Sequence, residues 1–142
     1  MRGRRTMRVG LVLAAVAVGL ISAGCLAPGP PTPTAPANLT ISPSPANFPD
    51  SPSPTFPMPN VQVTITNTGR RTARSINVPP VSVYSVPQDL CTSLAPGQSC
   101  TAVIQFCPGS IGQYDSMLVV TGQDATSGAP LTATTMLIGR AT

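Results

Sequence analysis

The segment Val61-Gln62-Val63-Thr64-Ile65-Thr66-Asn67 constrains the fold of this chain more than any other. Apolar and polar residues alternate along it, with Val61, Val63 and Ile65 on one face and Gln62, Thr64 and Thr66 on the other. That is the period of a half-buried β-strand. Asn67-Thr68-Gly69 then supplies a turn. Strands of similar texture are predicted at Leu39 to Ile41, Ala73 to Val78, Val81 to Val86, Cys100 to Phe106, Gln113 to Thr121 and Leu131 to Ile138. No ten-residue stretch beyond the N-terminal region carries helical periodicity. Short strands broken by turn residues imply an all-β domain, a single antiparallel sandwich over residues 38–142.

The first residues read differently. Arg2, Arg4, Arg5 and Arg8 precede an apolar stretch from Val9 to Ile21 and small residues ahead of a cysteine, the pattern of a secretory signal peptide over residues 1–24. The ending Ala23-Gly24-Cys25 resembles the lipobox of bacterial lipoproteins, with Ser22 standing where that family prefers Leu. The resemblance implies cleavage before Cys25 by signal peptidase II, lipid attachment to the Cys25 sulfur, and anchoring at a membrane of the cell envelope. Leu26 after the cysteine is compatible, by the same analogy, with outer-membrane sorting in a Gram-negative cell. Ordinary signal cleavage and a retained anchor stay open: Val9 to Ala27 just reaches the ~20 residues of a membrane span. Residues 25–37 are almost entirely Pro, Ala, Thr and Gly, a composition that favours extended polyproline II at ~3.1 Å per residue, so eleven residues make a tether of roughly 35 Å. A second proline-rich loop, running to Pro59, carries Phe48, Phe56 and Met58, which are expected to plug an edge of the core.

The charge of the chain resides in its leader. The formal net charge of +4 is that of Arg2, Arg4, Arg5 and Arg8, because Arg70, Arg71, Arg74 and Arg140 balance Asp50, Asp89, Asp115 and Asp124. No nucleic-acid partner is implied, and Arg70-Arg71-Arg74 reads as a solvated turn. The chain has no His, Lys, Glu or Trp. General acid–base catalysis near neutral pH draws mostly on His, Glu and Lys, and serine or cysteine nucleophiles need an adjacent base. Four scattered aspartates supply neither a catalytic pair nor a metal cluster. No enzyme activity, metal or cofactor is expected.

Within the strand-rich region, Val63-Thr64-Ile65-Thr66-Asn67-Thr68-Gly69, the stretch Cys91-Thr92-Ser93-Leu94-Ala95-Pro96-Gly97-Gln98-Ser99-Cys100, and Phe106-Cys107-Pro108 resemble the ASH (abnormal-spindle/hydin) domains, often found in bacterial exported proteins labelled choice-of-anchor D. Gly112, the strand through Leu118-Val119-Val120, the opening Leu39-Thr40-Ile41-Ser42-Pro43 and Phe48 fit the same pattern. The resemblance covers about residues 38 to 121. It implies an immunoglobulin-like β-sandwich of about seven strands and a binding or structural role. With it comes a Cys91–Cys100 disulfide, consistent with an oxidising compartment and with a turn at Pro96-Gly97. Pairing of Cys107 with Cys91 or Cys100 is the alternative.

Cys107 stands where the family usually has Thr. With Cys25 acylated and Cys91 bonded to Cys100, it is left as a free thiol or an intermolecular bridge. Alternation places Ala102, Ile104 and Phe106 inward on one strand and Tyr114, Ser116, Leu118 and Val120 inward on another. Val103, Met117 and Val119 then face outward, as an interface if contiguous or as residues beneath a proline-rich loop. The function expected is a non-enzymatic envelope lipoprotein presenting its domain to a protein partner, such as a surface or secretion assembly. The alternative is a secreted or periplasmic module that binds a glycan through Tyr84, Tyr114, Asp115 and Gln113.

Overall fold

The computed structural model describes residues 34–52 and 58–142. These form nine strands: β1 (Leu39–Ser42), β2 (Ala46–Asn47), β3 (Asn60–Asn67), β4 (Ala73–Asn77), β5 (Tyr84–Asp89), β6 (Ser93–Leu94), β7 (Ser99–Phe106), β8 (Gly112–Asp124) and β9 (Pro130–Ala141). They make a sandwich of two sheets, β1-β3-β7-β5 and β2-β9-β8-β4-β6. Every pairing is antiparallel except that of β2 with β9. The first strand thus changes sheets. β1 pairs with β3, the chain turns through Pro43 and Pro45, and β2 continues along the edge of β9 in the opposite layer. The all-β sandwich expected from the alternation is the fold observed.

The alternation itself builds the core. Val63 and Ile65 of β3 and Ala102, Ile104 and Phe106 of β7 are fully buried from one sheet. Leu118 and Val120 of β8 and Leu137 of β9 meet them from the other. At one end lies an aromatic group: the Tyr84 ring is 5.0 Å from Phe48 and 5.2 Å from Phe106, and Phe106 is 5.7 Å from Tyr114. Gly139 of β9 makes room for it, since a Cβ there would lie 2.8 Å from Tyr84 Oη and 2.9 Å from the Phe106 ring. Phe48 plugs the edge as expected. Its N–H donates to Ile138 O at 2.8 Å, which lays residues 46–51 along β9. Met58 is half-buried, whereas Phe56 lies outside the described residues.

Several boundaries differ from the sequence reading: β5, β8 and β9 each run three residues past their expected ends, to Asp89, Asp124 and Ala141, and three other differences have local reasons. The strand expected from Val81 begins at Tyr84, because Val81 and Tyr84 exchange backbone hydrogen bonds of 3.0 and 2.8 Å across a tight turn. β2 and β6 are two-residue strands within segments read as loops, too short to show a period. The domain also reaches back past Asn38, since Ala37 is buried and belongs to the core cluster.

Candidate functional site

The end of the sandwich where the chain enters is built around two buried polar side chains. Asn67 closes β3, fully buried. Its Oδ1 accepts the N–H groups of Asn38 (3.2 Å) and Gly69 (3.0 Å), while its Nδ2 donates to the carbonyls of Arg71 (2.7 Å) and Leu94 (2.9 Å). One amide thereby ties together the incoming chain, the β3–β4 turn and β6. The Gly69 requirement is steric. A Cβ at this position would strike Pro36 O and lie 2.5 Å from Asn38 N and 2.6 Å from Ala37 Cα. The Asn-x-Gly motif is therefore a clamp that seats residues 36–38 against the turn, where Arg70 N–H also donates to Pro36 O at 3.3 Å.

Asp124, at the end of β8, holds the same segment from the other sheet. Its Oδ2 accepts Ala37 N–H at 2.9 Å, and its Oδ1 accepts the N–H groups of Thr126 (2.8 Å) and Ser127 (2.9 Å). The Ala37 bond, then that from Ser127, outweigh burial and hold the carboxyl down at about 2. No sequence signal marked this residue, because its partners depend on how the β8–β9 hairpin closes.

At the start of β7, Cys91 and Cys100 are joined by a disulfide with their Cα atoms 5.3 Å apart. Between them, Gln98 N–H donates to Ala95 O at 3.0 Å and Gly97 adopts φ +76°, which makes Pro96-Gly97 the centre of a type II turn. Cys107 is free and half-buried. Its Sγ lies 3.6 Å from Ser85 Oγ and 3.8 Å from Gln105 O. Cys107 lies seven residue steps beyond Cys100 along extended chain, roughly 23 Å at ~3.3 Å each, and Cys91 is already bonded to Cys100, so its pairing with either bonded cysteine is excluded by the fold.

The outward residues do not form one patch. Val103 lies on β7 of the four-stranded sheet, and Met117 and Val119 lie on β8 of the five-stranded sheet. The two sets face opposite sides of the sandwich, which corrects their grouping as a single interface. The partner of Met117 is Met136, directly opposite it on β9. Met117 is 56% exposed and Met136 42%, and half-buried Val119 and Ile138 flank them on the same outer face. Sequence reasoning missed Met136 because its face depends on the β8–β9 register.

The glycan-binding group is likewise divided. Tyr84 is buried and donates its hydroxyl to Tyr114 O at 2.6 Å. Desolvation, reinforced by the charge of Asp115 and offset in part by a hydrogen bond with Gly139, pushes its phenol up to about 12. Tyr114 turns inward against Phe106, with its hydroxyl 2.9 Å from Ser110 Oγ. Gln113 and Asp115 point outward and bond to each other at 3.1–3.2 Å. These four residues do not converge. Among the described residues no three His, Cys, Asp or Glu side chains approach closely enough to hold a metal. Cys25 lies outside the described residues.

No family model matches the sequence, and no curated protein matches it. Solved structures do match the fold. An ASH/PapD-like domain of human CEP192 (PapD-like domain 7) superposes with a TM-score of 0.60 at 12% identity, covering 97% of this chain and 98% of that one. The fold is an immunoglobulin-like β-sandwich similar to that of this domain. The VesB protease of Vibrio cholerae matches at a TM-score of 0.58 and 19% identity over 73% of this chain. This chain spans 31% of the length of that protease. At these identities both likenesses bear on the fold alone.

Proposed function

We propose that this chain is a non-catalytic lipoprotein of the bacterial cell envelope. In this reading Cys25 carries the lipid anchor, residues 25–37 are the tether, and the ASH-type sandwich docks a protein partner. The observation that carries the docking role is the Met117–Met136 pair. Two large, flexible apolar side chains stand opposite each other on the outer face of the longest hairpin, flanked by Val119 and Ile138. Methionine adapts its shape to irregular apolar partners, and a contiguous exposed apolar patch marks a contact surface. The lipobox resemblance at Ala23-Gly24-Cys25 and the proline-rich stretch after it support anchoring. A domain matched along its whole length by an ASH/PapD-like module supports a binding or structural role.

The test is photo-crosslinking in cell envelopes with a diazirine amino acid at position 117 or 136, and at Val103 on the opposite sheet as control. Discrete adducts from 117 and 136 but not from 103 support docking through the β8–β9 face. Equal labelling from all three positions, or none, contradicts it.

A further inference from the structure

The clamp that seats the incoming chain places residues 36–38 against the β3–β4 turn. Pro36 O accepts Arg70 N–H, and Gly69 lets residues 36–38 pass directly over the β3–β4 turn. That turn and the start of β4 carry Arg70, Arg71 and Arg74, three of the four arginines beyond the leader. Arg70 and Arg74 are exposed and Arg71 is half-buried. Among the described residues no carboxylate forms an ion pair with any of them. The acidic groups at this end are engaged elsewhere: Asp124 is buried on three backbone N–H groups, and Asp89 accepts Cys91 N–H at 2.8 Å. The fourth arginine, Arg140, pairs with Gln113 ten rungs from the Gln123–Pro130 end of the hairpin, roughly 33 Å away at ~3.3 Å per residue.

We propose that the Arg70–Arg71–Arg74 corner faces the membrane and binds the phosphate groups of anionic phospholipids. The inference rests on the lipid anchor proposed at Cys25. Ten residues lie between Cys25 and Pro36, a length that can reach roughly 34 Å at ~3.1 Å per residue, well beyond the ~8–10 Å reach of screened charge. On a neutral membrane the domain stands off. On an anionic one the tether keeps the corner at an effective concentration of order millimolar, and each arginine near the surface strengthens contact by about fivefold. Guanidinium groups suit this partner because they meet phosphate oxygens with paired N–H donors.

The experiment measures the rate of phenylglyoxal modification at each arginine, by peptide mass spectrometry, on the mature membrane-extracted protein. The protein is placed in vesicles of phosphatidylcholine alone, or of phosphatidylcholine mixed equally with phosphatidylglycerol. Arg70 and Arg74 are expected to react about fivefold or more slowly on the anionic vesicles while Arg140 keeps its rate. Salt at about 0.5 M, which shortens the screening length to ~4 Å, is expected to restore them. Acylated, vesicle-bound protein in which Arg70 and Arg74 keep their rates, or change together with Arg140, overturns the membrane-facing corner and leaves the anchor intact. Protein that lacks acyl mass and washes off both vesicles overturns the anchor, and the inference with it.

Discussion

Replacing Asn67 by alanine tests the clamp from the inside. The substitution removes four hydrogen bonds at once, to Asn38 N, Gly69 N, Arg71 O and Leu94 O. The Leu94 bond is fully buried and the other three are partly buried. Orphaning a buried group costs about 1–3 kcal/mol, and a partly buried one regains water. About 2 kcal/mol at Leu94 and ~0.5 kcal/mol at each of the others give a loss of about 3–4 kcal/mol. That corresponds to a fall of roughly 12–20 °C in Tm for a domain of this size. The assay is thermal unfolding by circular dichroism with the disulfide intact. N67D separates the two halves of the amide. It keeps an acceptor for Asn38 and Gly69 but sets a second oxygen against the Arg71 and Leu94 carbonyls, so its carboxyl is held above the ordinary carboxylate range in the folded state. A raised acid pKa destabilises the fold as pH rises through the unfolded value of ~3.9, so N67D is expected to approach the parent stability only at acid pH. An N67A protein that melts within a few degrees of the parent refutes the clamp.

Other expected outcomes follow from the same packing. Hydrogen bonds from the Ala37 and Ser127 N–H groups hold the Asp124 carboxyl down at about 2, below the ordinary carboxylate range, so its contribution is complete above about pH 4 and is lost as pH falls toward 2. D124N is expected to unfold at lower temperature near pH 7 and to show less acid sensitivity between pH 4 and 2 in urea titrations. Reducing Cys91–Cys100 opens a loop of nine-residue separation, expected to cost about 2.5–3 kcal/mol in the chain-entropy model; C91A/C100A should show the same change in urea midpoint. G139A drives a methyl group into Tyr84 and Phe106, and overpacking of this kind costs about 1–3 kcal/mol, measurable as a lowered Tm with a changed near-ultraviolet tyrosine signal.

What the sequence made legible was whatever a short period records. Val61 to Asn67 and Ala102 to Phe106 declare their buried faces by alternation, and Pro96-Gly97 declares a turn because only a few residues tolerate its backbone angles. The disulfide was readable through family resemblance. Features that depend on register or on distant segments were not. The pairing of Met117 with Met136 needs the closure of the β8–β9 hairpin, and Val103 could be assigned outward without revealing that it faces the other side of the sandwich. Asp124 looked like a scattered surface charge, because its partner Ala37 lies 87 residues away. Tyr84 read as an available aromatic until the fold buried its hydroxyl against Tyr114 O. Asn67 was recognised as part of a motif, but its four-way role appears only when β1, β3, β4 and β6 converge at one end of the sandwich.

Anchoring at Cys25 underlies both the docking role and the membrane-facing corner, and intact mass spectrometry of the membrane-extracted protein tests it most directly. The account predicts a chain that begins at Cys25 and carries acyl mass. An unmodified chain recovered in the soluble fraction contradicts it.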